Sequence, residues 1–135
     1  MNKCLSHELA KTGEFIPKHC YDNVFNNIGK IGSRFKDEDI RVMFGYVSVG
    51  RLKGIYTRHA CFYLNDEAVD PTLATLYGDR LEDYEIDYIP FKVMTIDEYF
   101  RLLSREHNTD LFKTFKQVER IISKDFSKYG ITLIG

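Results

Sequence analysis

The chain has 135 residues, 44% hydrophobic and 29% charged, a globular composition rather than a disordered one. Its 19 Lys and Arg against 20 Asp and Glu leave a net charge of −1, so no global field draws it to nucleic acid or anionic lipid. With no apolar run near the roughly 18 residues of a membrane span, no signal-peptide core in MNKCLSHELAKTGEF and three cysteines, the expectation is one cytoplasmic domain over 1–135 with reduced thiols.

A first helix is expected over Leu5–Lys11, stopped by Gly13. A second starts near Pro17, which suits a first helical position, and stops at Gly29. Its Cys20, Tyr21, Val24, Phe25 and Ile28 fall on one apolar stripe. Residues 30–39 read as a polar loop. The period then changes. Residues 40–50 and 55–64 are rich in β-branched and aromatic side chains and read as two strands, with Lys53-Gly54 in the turn between them. A third short strand covers Glu67–Asp70 and is broken by Asp70-Pro71-Thr72. A fourth run covers Tyr84–Met94, with Tyr84, Ile86 and Tyr88 alternating with charged residues. Thr95 and Glu98 form a capping box for a helix carrying Tyr99, Leu102 and Leu103. A last helix, about 109–127, puts Leu111, Phe115, Val118, Ile122 and Phe126 on one face, with its basic residues, Glu119 and Asp125 toward solvent. The fold class is α+β, with N-terminal helices packed on a small antiparallel sheet together with C-terminal helices.

Three segments can combine into chemistry. Cys20 falls in the first turn of the second helix, where unpaired backbone amides and the helix dipole favour a thiolate, the nucleophilic form of cysteine. By itself it is as well explained as a small core residue. His59 lies mid-strand, a rigid platform for a general base facing a nucleophile on a helix. Asp70 ends the next short strand, and a hairpin would set it beside His59 to fix the imidazole tautomer. Because Pro71 confines Asp70 to extended backbone, Asp70→Asn is expected to leave stability nearly intact.

The ordered set Cys20-Tyr21-Asp22-Asn23, Gly45-Tyr46-Val47, His59-Ala60 and Val69-Asp70-Pro71-Thr72 resembles the transglutaminase-like branch of the papain-like cysteine enzymes, of the small phage and bacterial type. The resemblance covers about residues 15–75. It implies a papain-like, transglutaminase-like fold and a catalytic set of Cys20, His59 and Asp70. It also implies cysteine-dependent acyl chemistry on an amide or peptide, as a hydrolase, deamidase or acyl transferase. Such an enzyme needs no cofactor, takes a protein or peptide substrate, and works in the cytoplasm (the host cell's if phage-encoded). Two departures stand out. Cys61 replaces the aromatic residue often found two positions after the histidine, and Ile16-Pro17-Lys18-His19 replaces the Gly- or Trp-rich lead into the nucleophile. One oxyanion donor would be the Cys20 backbone amide, and the second is left open among Asn23, His19 and Tyr46.

Other readings compete for the same residues. His59 and Cys61 point to one side of a strand and could join His19 and Cys20 around zinc, although the spacings match no zinc framework. A non-catalytic protein-binding module of the same fold would use the acidic stretch GDRLEDYEID at 78–87, which otherwise reads as a solvated connector. Tyr46, Tyr56 and Tyr63 read as sheet packing. Cys4, His7 and His107 have no partners at meaningful spacing.

Overall fold

A computed structural model describes residues 1–50 and 54–135. Lys53 of the expected turn lies outside the described residues. The first helix, α1 (Lys3–Thr12), is capped by Asn2, whose side chain accepts from the Leu5 N–H at 3.0 Å, and it ends at Gly13. The second, α2, spans Cys20–Arg34, later at both ends than the sequence predicts. Pro17 does not open it. Lys18 sits at φ 67, a left-handed backbone that cannot continue a helix, and the His19 N–H closes a turn onto the Ile16 carbonyl at 3.2 Å. Cys20 is therefore the first helical residue. At the other end Gly29 does not stop α2. Ile28 and Ile31 are both buried, and their packing outweighs the roughly 1 kcal/mol that a helical glycine costs. The buried face is Asn23, Val24, Asn27, Ile28 and Ile31, while Phe25, expected on the stripe, is exposed.

The strands β1 (Arg41–Val49), β2 (Ile55–Leu64), β3 (Glu67–Val69) and β4 (Ile86–Met94) form a curled antiparallel sheet in the order β3-β2-β1-β4. Unlike the expected sheet it is not purely antiparallel. A short C-terminal strand, β5 (Thr132–Ile134), runs parallel to β2 opposite Ile55, Tyr56 and Thr57. β3 covers β2 at Phe62–Leu64, so among the described residues 58–61 carry no neighbouring strand on the side away from β1. Alternation divides the central strands between two faces. Val42, Phe44, Tyr46, Ala60 and Phe62 meet Val24 and Ile28 in the main core, while Met43, Cys61 and Ala68 cluster on the other face. Pro90 is tolerated because β4 is an edge strand, next to a register shift opposite Phe44 and Gly45.

Asp70-Pro71-Thr72 does end β3, but as the start of a helix. Asp70 caps α3 (Pro71–Tyr77), accepting from the Leu73 N–H at 3.2 Å, and Pro71 occupies the first position. A 3-10 helix over Gly78–Asp83 follows, anchored by the fully buried Leu81, so the acidic stretch is more than a solvated connector. The capping box of α4 (Ile96–Glu106) is formed in both directions, the Glu98 N–H donating to Thr95 Oγ1 at 3.1 Å and the Thr95 N–H to Glu98 Oε1 at 3.3 Å. The last helix is two pieces, a 3-10 helix Leu111–Phe115 and α5 (Lys116–Ser127). Of its expected apolar face Leu111 is buried and Phe115, Ile122 and Phe126 are half-buried, but one position is exchanged. Val118 is 52% exposed and the charged Glu119 is buried at 8%. Among the described residues no helix is long and apolar enough to cross a membrane.

Candidate functional site

The hairpin of β2 and β3 sets the end of β3 beside the middle of β2, with Phe62 opposite Val69. Beyond that pair, His59 and Asp70 meet. His59 Nε2 and Asp70 Oδ2 are 2.6 Å apart, with the Asp70 residue fully buried and His59 6% exposed. The carboxylate has further partners. The Tyr88 hydroxyl donates to the same Oδ2 at 2.6 Å, while Oδ1 takes the Leu73 N–H. From α1, Ser6 Oγ accepts the Asp70 backbone N–H at 2.9 Å. The capping geometry of α3 thus aims one oxygen at its own helix and leaves the other for His59 and Tyr88.

Burial alone would lower the His59 pKa, because it disfavours the charged imidazolium. The charge and hydrogen bond of Asp70 oppose this, joined by a hydrogen bond and charge from Cys20, and together they raise it to about 10. Cys20, the first residue of α2, is partly exposed and acts on the His59 titration from there. Cys61, on the same face of β2, is a different kind of thiol. Burial, then the charges of Asp70 and Cys20, push its pKa well up, which keeps it protonated and inert.

The turn before Cys20 is held by Asn23. Its Oδ1 accepts from the Ile16 N–H at 3.0 Å, and its Nδ2 donates to the Ile16 carbonyl at 2.7 Å and to Thr72 Oγ1 at 3.0 Å. Both amide hydrogens are engaged, which removes Asn23 from the oxyanion candidates and makes it the tie between α2 and α3. Tyr46 is removed as well, since its hydroxyl donates to Glu119 at 2.6 Å. His19 is exposed at the cap position of α2 and its side chain caps nothing, so the first-turn amides have no side-chain acceptor there.

The zinc set of His19, Cys20, His59 and Cys61 is not assembled. His59 Nε2 is committed to Asp70, and among the described residues no group of three or more His, Cys, Asp or Glu is placed to hold a metal ion. Sequence reasoning missed three groups near these residues. Tyr88 and Ser6 lie 18 and 64 positions from Asp70, with no local signal of contact. The Asn23–Asn27 pair had a signal: two amides at i and i+4 within an apolar helical stripe must be hydrogen-bonded to be buried there.

Arg58, the residue before His59, belongs to a second cluster. Its Nε donates to Glu119 Oε2 at 2.7 Å and its Nη2 to Oε1, while Tyr46 shares Oε2. Glu119 was expected on a solvent face, and nothing local to the sequence pairs it with a residue 61 positions away. Compared with family models, with curated proteins and with solved structures, the chain matches none.

Proposed function

We propose that this chain carries out cysteine-dependent acyl chemistry on an amide or peptide, within a papain-like, transglutaminase-like fold. The observation that carries the proposal is the 2.6 Å contact between His59 and the buried Asp70, with Cys20, at a helix start, among the groups that raise the pKa of the same ring. Asp70 occupies Nε2, so Nδ1 is the ring nitrogen left for the thiol. With the His59 pKa raised to about 10, the proton of Cys20 already resides on Nδ1 of the imidazolium when the sulfur attacks the carbonyl carbon. The carbon–nitrogen bond then breaks and the proton passes from His59 to the leaving amine. Water or a second amine next attacks the thioester, returning its own proton through His59 and freeing Cys20. Asp70 fixes the ring and stabilises the imidazolium between these transfers. The uncapped amides at the start of α2, that of Cys20 among them, are the donors for the oxyanion. Substrates are proteins or peptides rather than nucleic acid. The compartment is the cytoplasm, where Cys20 stays reduced.

Alkylation by iodoacetamide tests this without a substrate. On the folded chain near pH 7, Cys20 is expected to label about tenfold faster than the exposed Cys4, because His59 draws off its proton, and Cys61 not to label. His59→Ala should remove that advantage. Equal rates at Cys4 and Cys20, unchanged by His59→Ala, would leave a non-catalytic binding module.

A further inference from the structure

We infer that Tyr88 is a positioning residue of this site: its hydroxyl donates to the very Asp70 oxygen that holds His59, and so sets how strongly the carboxylate holds the imidazolium. The inference rests on the acyl-chemistry reading and deepens it. Tyr88 comes from β4, separated from β2 by β1, where Val47 is opposite both Tyr88 and Thr57. The residue of β1 opposite His59 is Gly45, which puts no side chain between the two rings, and their centroids lie 6.4 Å apart. A Cβ at Gly45 would come within 2.4 Å of the Ile89 carbonyl, so this passage is closed to any larger residue. The phenol keeps its proton. Burial first, then the charge of Asp70, push its titration far above the ordinary range, which keeps it a donor.

The consequence follows from counting donors on Oδ2, which takes one hydrogen bond from Tyr88 and one from His59. When His59 is neutral, the Tyr88 bond carries more of the burden of stabilising a buried carboxylate. Removing it makes loss of the His59 proton harder, and strengthening it makes that loss easier. The titratable groups that meet the charge of Asp70 are His59 and Cys61 from β2 and Tyr88 from β4, while Cys20 from α2 acts on His59 and Cys61, and the Met1 amino group on Cys61. From α1 and α3 come only uncharged partners, Ser6 and the Leu73 N–H.

The test is the pH titration of the His59 ring by NMR in the full chain. Tyr88→Phe is expected to raise its midpoint by about one pH unit. Tyr88→3-fluorotyrosine, of the same shape but a stronger donor, is expected to lower it. That second variant decides the matter alone if Tyr88→Phe fails to fold. In an Asp70→Asn background Tyr88→Phe should add no shift. A midpoint unmoved by both variants, or moved equally without Asp70, would make Tyr88 a packing residue and overturn the inference. The acyl-chemistry reading fails separately. If His59→Ala leaves Cys20 alkylation unchanged, Tyr88 loses its role in catalysis even where the His59 midpoint responds to it.

Discussion

Two consecutive residues of β2 each build a cluster of one cation, one carboxylate and one tyrosine. Arg58 is held by Glu119, which also accepts from Tyr46, and His59 is held by Asp70, which also accepts from Tyr88. Consecutive strand residues point to opposite faces, so the clusters are separate. Their parts match, but their chemistry differs. The guanidinium of Arg58 is charged at every working pH, and its fork is spent bidentately on Glu119, so that cluster clips α5 to the sheet. The imidazole of His59 can gain and lose a proton, uses one nitrogen on its carboxylate, and has its titration raised by the Cys20 thiol as well. A buried charge cluster becomes a candidate for catalysis when its cation can titrate and a nucleophile shares it.

The sharpest way to break the comparison is the same substitution in both clusters. Asp70→Asn and Glu119→Gln each replace a carboxylate by an amide of the same shape. Each should cost about 3 kcal/mol in urea unfolding, less for Glu119→Gln because Arg58 is partly exposed and water relieves it. For Asp70 this revises the expectation of near-neutrality, which considered only the backbone before Pro71. The contact with His59 makes the side chain half of a buried pair. Only Asp70→Asn should reach Cys20. Its amide favours an imidazole protonated at Nδ1, the nitrogen that must accept the thiol proton. If the proposed acyl chemistry holds, turnover should fall by as much as the ~10⁴-fold seen when that role is removed from a serine triad. A Glu119→Gln variant that slowed Cys20 labelling equally would erase the distinction.

Why one cluster was readable from the sequence and the other was not is a matter of range. His59 and Asp70 are 11 positions apart across a tight turn, and the strand pattern from 55 to 69 is enough to bring them near each other. Arg58 and Glu119 are 61 apart, and the helical periodicity of α5 placed Val118 inward and Glu119 outward. Phe115, Ile122 and Phe126 do turn inward, and Glu119 takes the place between them that the apolar pattern gave to Val118, because Arg58 and Tyr46 hold its carboxylate there. The same blindness to context explains the helix boundaries. Pro17 and Gly29 are sound local signals, overruled by the left-handed Lys18 and by burial of Ile31. At Asp70-Pro71 the local signals, a cap followed by proline, point to a helix start as well as to the end of a strand.

A pH profile of stability separates the clusters next. The pKa of His59, raised to about 10, lies above its unfolded value near 6.5, so the folded chain binds the extra proton between them. Its contribution is therefore complete below about pH 6.5 and is lost as pH rises through about 10. Arg58 is raised from an already higher value, chiefly by its hydrogen bond to Glu119, and stays charged across this window. Urea unfolding of the wild type at intervals from pH 6 to 10 should show the decline, and His59→Gln should flatten it. A decline that persisted in His59→Gln would place the titrating group elsewhere.

The smallest effect comes from the tyrosine of the clip. Tyr46→Phe removes one hydrogen bond to Glu119 and leaves the two from Arg58 in place, so it should cost about 1 kcal/mol. The ring itself should stay where it is, since Tyr46 packs edge-on against Phe91 at 6.2 Å and tilted against Phe112 at 5.8 Å, contacts that do not involve the hydroxyl. The His59 titration should not move. Arg58 holds its proton whatever Tyr46 does, so losing a donor on Glu119 has no proton equilibrium to bias. Tyr88→Phe, the same chemical deletion on the other face, is expected to shift that titration, and measuring both variants by the same NMR experiment sets the contrast directly. If Tyr46→Phe moved the His59 midpoint as far as Tyr88→Phe does, the two faces of β2 would be electrically coupled through the strand, and the separation of clip from reactive site would be wrong.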